Sequence, residues 1–145
     1  GTLSSSSFSG KGRSSMADSE IVREWLSKAD EDFEFASIIL AEGKPFSPQI
    51  CFHFQQAAEK YLKACIIFHD LEFRKTHDLT LILKHLLSRE PGFEQLRDDV
   101  EYLPVLYVDT RYPVHWPVSY TGGEAQKAFE AASRIKEFVR RAISM

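Results

Sequence analysis

Apolar residues recur along most of this chain at intervals of three and four, the period that places them on one face of an α-helix. The first such stretch, residues 19–41, predicts helix one, and a Gly43-Lys44-Pro45 break ends it. Its predicted buried stripe consists of Ile21, Trp25, Ala29, Phe33, Ala36 and Leu40. The acidic residues expected mostly on its opposite, solvated side are Asp30, Glu31, Asp32 and Glu34.

Helix two carries the clearest signals and is expected to end near Phe68. Ser47 is a good N-cap, and Pro48 would then occupy the first helical position, where its missing N–H costs nothing. The apolar stripe predicted to face the core is Ile50, Phe54, Ala57, Ala58, Tyr61, Leu62 and Cys65.

A polar face also runs along helix two. His53, Gln56, Lys60 and Lys63 follow one another at spacings of three, four and three, and Glu59 forms an i,i+4 pair with Lys63. One interpretation is a solvated face strengthened by ion pairs. The other is a polar strip that presents glutamine and lysine to a ligand or to another subunit.

Three further helices are predicted, over residues 78–89, 93–108 and about 122–143. Pro104 should kink or split the second of these, and a capping box from Thr121 to Glu124 should open the third. The inward positions are Leu79, Ile82, Leu83 and Leu86, then Leu96, Val100, Leu103 and Tyr107, then Ala125, Ala128, Phe129, Ala132, Ile135, Phe138, Val139 and Ala142. Short connections and the lack of an alternating strand pattern predict an all-α, up-and-down bundle of four to five helices.

The length of 145 residues fits one domain, which we place at residues 18–145. Residues 1–17 are expected to be a flexible leader, since the serine- and glycine-rich stretch 1–15 has no periodic apolar pattern; a transit peptide is the alternative. A net charge of -3 argues against a protein that coats DNA or RNA generally, although it leaves room for a local anion site.

The two cysteines predict a reduced, cytoplasmic protein. Cys51 and Cys65 fall in one predicted helix, about 21 Å apart at the helical rise, which is too far for a disulfide. No apolar run approaches the roughly 20 residues that a membrane-spanning helix needs. The five histidines show no HxxxH spacing and no glycine-rich phosphate loop occurs, so we expect no metal and no cofactor.

The segment 109–117 concentrates candidate chemistry between two prolines. Arg111 and His115 suit an anionic phosphate, because arginine carries a fixed charge and histidine can move a proton near neutral pH. Tyr112 and Trp116 could stack a nucleobase. In the structural alternative these aromatics cover one end of the bundle and Arg111 pairs with an acidic residue.

A second cluster, residues 74–79, lies before helix three. Thr76 or Asp78 can cap that helix. His77 then has two interpretations: it contributes to the cap by bonding backbone, or it joins Arg111 in a phosphate pocket.

In combination these motifs resemble the HEPN domain, the helical nucleotide-binding family of higher eukaryotes and prokaryotes. The resemblance covers roughly residues 20–143. It rests on Trp25, Leu26, Ala29 and Asp32 in helix one, on FHFQQAAEKYLKA at 52–64, on KTHDL at 75–79 and on TRYP at 110–113.

The resemblance implies a compact bundle that pairs as a homodimer and belongs to one of two functional branches. One branch consists of metal-independent ribonucleases, often toxins, in which four to six residues separate an arginine from a histidine. The other consists of partner or substrate-binding subunits of small nucleotidyltransferases. Only three residues separate Arg111 from His115, and Pro113 stiffens the loop. The segment therefore fits the second branch better.

We therefore expect a cytoplasmic, homodimeric protein that binds a nucleotide or an RNA end and works with a nucleotidyltransferase in a toxin–antitoxin-like pair. Arg111 would clamp phosphate and Tyr112 or Trp116 would stack a base. Lys60, Lys63 and His77 would complete a basic rim. The alternatives are a dimeric, metal-independent endoribonuclease that uses Arg111 and His115, and a purely structural interaction module. The sequence leaves open whether the protein is an enzyme.

Overall fold

The computed structural model describes residues 16–105 and 122–144, and within these ranges the chain is helical with no strand. The five α-helices are α1 (Met16–Ala41), α2 (Ser47–Phe68), α3 (Leu79–Leu87), α4 (Arg97–Val105) and α5 (Gly122–Ala142), with a 3-10 helix (Pro91–Leu96) before α4. The predicted all-α bundle is confirmed. None of the helices in the described ranges is long and apolar enough to cross a membrane.

Helix α2 is the central element of the bundle, since it packs against all four other helices and most extensively against α1 and α5. Phe54 is fully buried where these three helices meet. Its ring lies edge-on to Phe33 of α1 at 5.5 Å and to Phe129 of α5 at 5.7 Å. One aromatic cluster therefore joins the three longest helices.

The buried face of α1 differs from the predicted stripe at its beginning. Ile21 is 40 % exposed, whereas Val22 and Leu26 are buried. Two apolar residues stand next to each other at 21–22 and again at 25–26, so the periodicity alone fits either face. Packing against α2 decides in favour of Val22 and Leu26, while Ala29, Phe33 and Ala36 are buried as predicted.

Two acidic residues of α1 also depart from the prediction of a solvated side. Asp30 accepts hydrogen bonds from the hydroxyl of Tyr61 in α2 and from the guanidinium of Arg140 in α5. Asp32 accepts one from the ammonium of Lys60 at 2.5 Å. These carboxylates therefore tie α1 to its neighbours, whereas Glu31 and Glu34 are exposed as expected.

The helix ends match the prediction unevenly. Asp78 caps α3 as predicted, because its side chain accepts from the backbone N–H groups of Thr80 and Leu81. The N-cap of α2 is Phe46 without a side-chain hydrogen bond, so the prediction of Ser47 as N-cap is wrong by one residue. Predicted helix four begins instead as the 3-10 helix, and Pro104 lies inside the last turn of α4. Thr121 of the predicted capping box and Tyr107 lie outside the described residues.

The predicted inward positions of the remaining helices are confirmed where the structure describes them. In α3 these are Leu79, Ile82, Leu83 and Leu86, in the next two elements Leu96, Val100 and Leu103, and in α5 Ala125, Ala128, Ala132, Ile135 and Val139, all of which are buried. The other three predicted positions of α5, Phe129, Phe138 and Ala142, are only partly buried against the core. Asp99 of α4 is also buried and accepts three hydrogen bonds from the guanidinium of Arg134 in α5, at 2.8 Å, 3.0 Å and 3.2 Å. This forked pair fixes α4 against α5.

Both cysteines are free and buried in α2, as expected from their spacing. Burial, assisted by the charge of Glu124, raises the pKa of Cys51 to about 11, and burial also raises the pKa of Cys65. Since the thiolate is the reactive form, we expect iodoacetamide at about pH 8 to label neither thiol of the folded protein. Intact-mass spectrometry before and after denaturation checks this, and rapid labelling of the folded protein would contradict it.

Candidate functional site

A buried carboxylate organises the surface between α2 and the loop before α3. Glu59 of α2 is 3 % exposed. Its Oε2 atom accepts a hydrogen bond from Nζ of Lys63 at 2.8 Å and from Nδ1 of His77 at 2.8 Å. The predicted Glu59–Lys63 pair is therefore present, but it is buried, so a solvated face is the wrong interpretation for these two residues.

The contact with Glu59 orients the imidazole of His77. A carboxylate only accepts hydrogen bonds, so Nδ1 carries the hydrogen, and in the neutral ring Nε2 is the acceptor. The side chain of His77 is 84 % exposed although the carboxylate beneath it is buried. His77 therefore does not contribute to the helix cap, which Asp78 provides, and it offers Nε2 at the protein surface.

Lys63 is held in an aromatic and acidic environment. Its side chain is 7 % exposed, and Nζ lies 5.7 Å from the ring centroids of both Trp25 and Phe73. Cation–π attraction and the Glu59 carboxylate together stabilise the buried ammonium. Since the side chain has so little exposed surface, Lys63 is not available to a ligand phosphate in this arrangement. In the structure Lys63 holds Glu59 in place and, through Glu59, also holds His77.

Lys60 belongs to a different cluster from Lys63 and His77. Its Nζ contacts Asp32 Oδ2 at 2.5 Å, and Oδ1 of the same carboxylate lies 3.3 Å from Nδ1 of His53. The structure therefore brings Lys63 and His77 together on one carboxylate and places Lys60 with α1. The three residues of the predicted basic rim therefore belong to two separate ion-pair clusters.

An open cavity of about 450 Å³ lies beside His77, and we call it the His77 cleft. The described residues that line it are Phe52, Gln55, Gln56, His77 and Pro104. Gln55 is only 7 % exposed, and its Oε1 atom is buried without a hydrogen-bond partner among the described residues. Because a buried polar atom without a partner is costly, this carbonyl group is poised to accept a donor.

The Lys63 side of the cluster borders a second, smaller cavity of about 100 Å³, next to Phe73 and His85. Nε2 of His85 contacts the backbone oxygen of Glu72 at 3.0 Å. The side chain of Glu59 thus lies between a lysine that lines one cavity and a histidine that lines the other. Among the described residues no group of three histidine, cysteine, aspartate or glutamate side chains is arranged to hold a metal ion.

Arg111, Tyr112, His115 and Trp116 lie outside the described residues, so their placement stays a prediction. In the sequence, Arg111 follows Pro104, a residue that lines the cleft, by seven positions. Gln55 and Phe52 were not among the predicted site residues. The sequence feature that could have identified Gln55 is the four-residue spacing of Gln55, Glu59 and Lys63, which places the three on one side of α2.

Comparison with known proteins agrees with this architecture. Residues 22–142 match the model of the HEPN domain. An archaeal HEPN homologue, ST0689, has a similar crystal structure with a TM-score of 0.65 and 29 % identity, over 83 % of this chain and 96 % of the other. The crystal structure of TT1696 from Thermus thermophilus is similar with a TM-score of 0.67 and 30 % identity, over 84 % and 98 % of the two chains. No curated protein matches the sequence.

Proposed function

Because the chain belongs to the HEPN domain family, we propose that it binds a nucleotide or an RNA end at the His77 cleft. HEPN domains commonly dimerise and bind nucleotides or RNA. Within this proposal the protein acts as a cytoplasmic homodimer and as the substrate-binding or partner subunit of a small nucleotidyltransferase, in a toxin–antitoxin-like pair.

The observation that carries the proposal is the hydrogen bond from His77 to buried Glu59 at the edge of the cleft. Fixing one ring nitrogen on a buried carboxylate holds the imidazole in one orientation and one tautomer, which a surface histidine otherwise lacks. Such preorganisation lowers the ordering cost of binding a ligand. The neighbouring Gln55 carbonyl without a partner also favours a ligand with hydrogen-bond donors.

The phosphate of the ligand is assigned to Arg111, with Tyr112 or Trp116 stacking against a base. Arginine suits this role because its planar guanidinium binds phosphate oxygens in pairs. Lys63 supports the site through Glu59 and His77. Lys60, 28 % exposed, is assigned to the rim of the site, where Asp32 shares its ammonium.

The substitution Arg111→Ala tests the phosphate assignment. Isothermal titration of the wild-type protein with AMP should give binding, and we expect the variant to bind at least about tenfold more weakly, because a charged hydrogen bond to phosphate contributes about 1.5–3 kcal/mol. The matched control is Arg97→Ala, which removes an exposed arginine of α4 that pairs with Glu94 on its own surface. Its affinity should equal that of the wild type.

Unchanged affinity in Arg111→Ala would overturn the phosphate assignment, and no binding of AMP, ATP or a short RNA by the wild type would overturn the proposed function. The same protein preparation, incubated with RNA in the presence of EDTA, tests the ribonuclease alternative. Cleavage that His115→Ala abolishes would assign the protein to the ribonuclease branch instead.

A further inference from the structure

We propose that the His77 cleft is the subsite for the base of the ligand and that it selects adenine. This inference rests on the proposed function and names the part of the nucleotide that the cleft receives. It differs from the sequence expectation, in which His77 belonged to a basic rim around the phosphate.

The first argument is the charge of the lining. The described residues around the cleft contribute two amides, one imidazole, one phenyl ring and one proline, and none of them is a lysine or an arginine. Phosphate sites in proteins gather cations or helix N-termini. A neutral, partly aromatic lining fits the uncharged base, and a volume of about 450 Å³ has room for it.

The second argument is the hydrogen-bonding capacity of the cleft. Gln55 has a buried carbonyl oxygen without a partner among the described residues, and in its neutral form His77 offers Nε2 as an acceptor. Because Oε1 is buried, the Gln55 side chain must reorient for the edge of its amide, with the oxygen and the NH₂ group, to face a ligand in the cleft. A glutamine amide complements adenine, because it accepts from the exocyclic amino group and donates to the adjacent ring nitrogen.

The third argument concerns the walls of the cleft. Phe52 from α2 and Pro104 from α4 supply apolar surface on which the face of a base can lie. Single bases are commonly held in this way, by stacking on a side chain and by hydrogen bonds to their edge. Gln56, next to Gln55 in the lining, adds a second amide within the same cavity.

A comparison of AMP with IMP tests the selection, since IMP carries a carbonyl oxygen where AMP carries the amino group. A bidentate contact between an amide and adenine discriminates by about 5- to 150-fold. We expect the wild-type protein to bind AMP more tightly than IMP by a factor in this range. Gln55→Leu should abolish the preference, whereas Gln49→Leu, at an exposed position of the same helix, should keep it.

The outcomes separate the inference from the function on which it rests. Equal affinity of the wild type for AMP and IMP, with Arg111→Ala weakening both, would overturn adenine selection and leave nucleotide binding standing. Preference for AMP that persists in Gln55→Leu would overturn the assignment to this cleft. No binding of either nucleotide would overturn both proposals.

Photo-crosslinking locates the base without relying on a variant that folds. Irradiation of the wild-type protein with 8-azido-AMP, followed by peptide mass spectrometry, should label peptides that contain Phe52, Gln56 or His77. Excess AMP should suppress this labelling more strongly than excess IMP. Labelling confined to peptides outside the His77 cleft would overturn the proposal.

Discussion

Replacing Phe54 by alanine is expected to lower the free energy of unfolding by about 3–5 kcal/mol. The side chain is fully buried and its ring contacts Phe33 of α1 and Phe129 of α5. The substitution removes buried apolar surface, the aromatic contacts that join three helices, and the volume that kept the centre of the bundle filled. Since small domains are stable by only about 5–15 kcal/mol, the variant should lose a large part of its stability.

Urea denaturation followed by circular dichroism measures this effect. The matched control is Phe46→Ala at the N-terminus of α2, because Phe46 is 47 % exposed and lies outside the buried core. We expect the control to change the free energy of unfolding by less than about 1 kcal/mol. A Phe54→Ala variant as stable as the control would show that the helices do not meet as described.

Glu59→Ala is expected to destabilise the protein by about 3–5 kcal/mol, because removing one partner of a buried ion pair leaves the other charge without compensation. The ammonium of Lys63, 7 % exposed, would remain among Trp25 and Phe73 without its carboxylate. His77 would also lose the contact that orients its imidazole. The variant should therefore bind AMP more weakly even at a temperature where it stays folded.

The double variant Glu59→Ala with Lys63→Met separates the two effects. Methionine fills the space of the lysine stem without a charge, so we expect much of the lost stability to return. Nucleotide affinity should stay low, since His77 still lacks its anchor. Glu31→Ala, at an exposed position of α1, serves as the control and should alter neither property. Full stability of Glu59→Ala would show that Lys63 does not depend on this carboxylate.

Much of the fold could be predicted from local pattern. The stripe in α3 and most of that in α5 were predicted correctly, because apolar residues recur there at spacings of three and four. The buried face at the start of α1 was predicted wrongly, because Ile21 and Val22 are adjacent and both strongly apolar. The position of Ser47 shows a related limit, since a good capping residue is used as a cap only if the helix begins beyond it.

The candidate site was predictable only in part. The pair of Glu59 and Lys63 follows from i,i+4 spacing within one helix. The burial of this pair does not follow from spacing, because it depends on Trp25 of α1 and on Phe73 of the loop before α3. The separation of Lys60 from this pair likewise depends on Asp32, 28 residues away in the chain.

The sequence by itself therefore determined the helical class, the order of the helices and the family, since each depends on spacing and motifs within short stretches. Only the tertiary structure decided which face of α1 is buried and that His77 contacts Glu59, which lies 18 residues away in the chain. It also placed Gln55 at the edge of a cleft, with a buried Oε1 atom that has no hydrogen-bond partner among the described residues. The physical reason is that local periodicity specifies the direction of a side chain around its own helix axis, whereas a binding site depends on how separate elements pack.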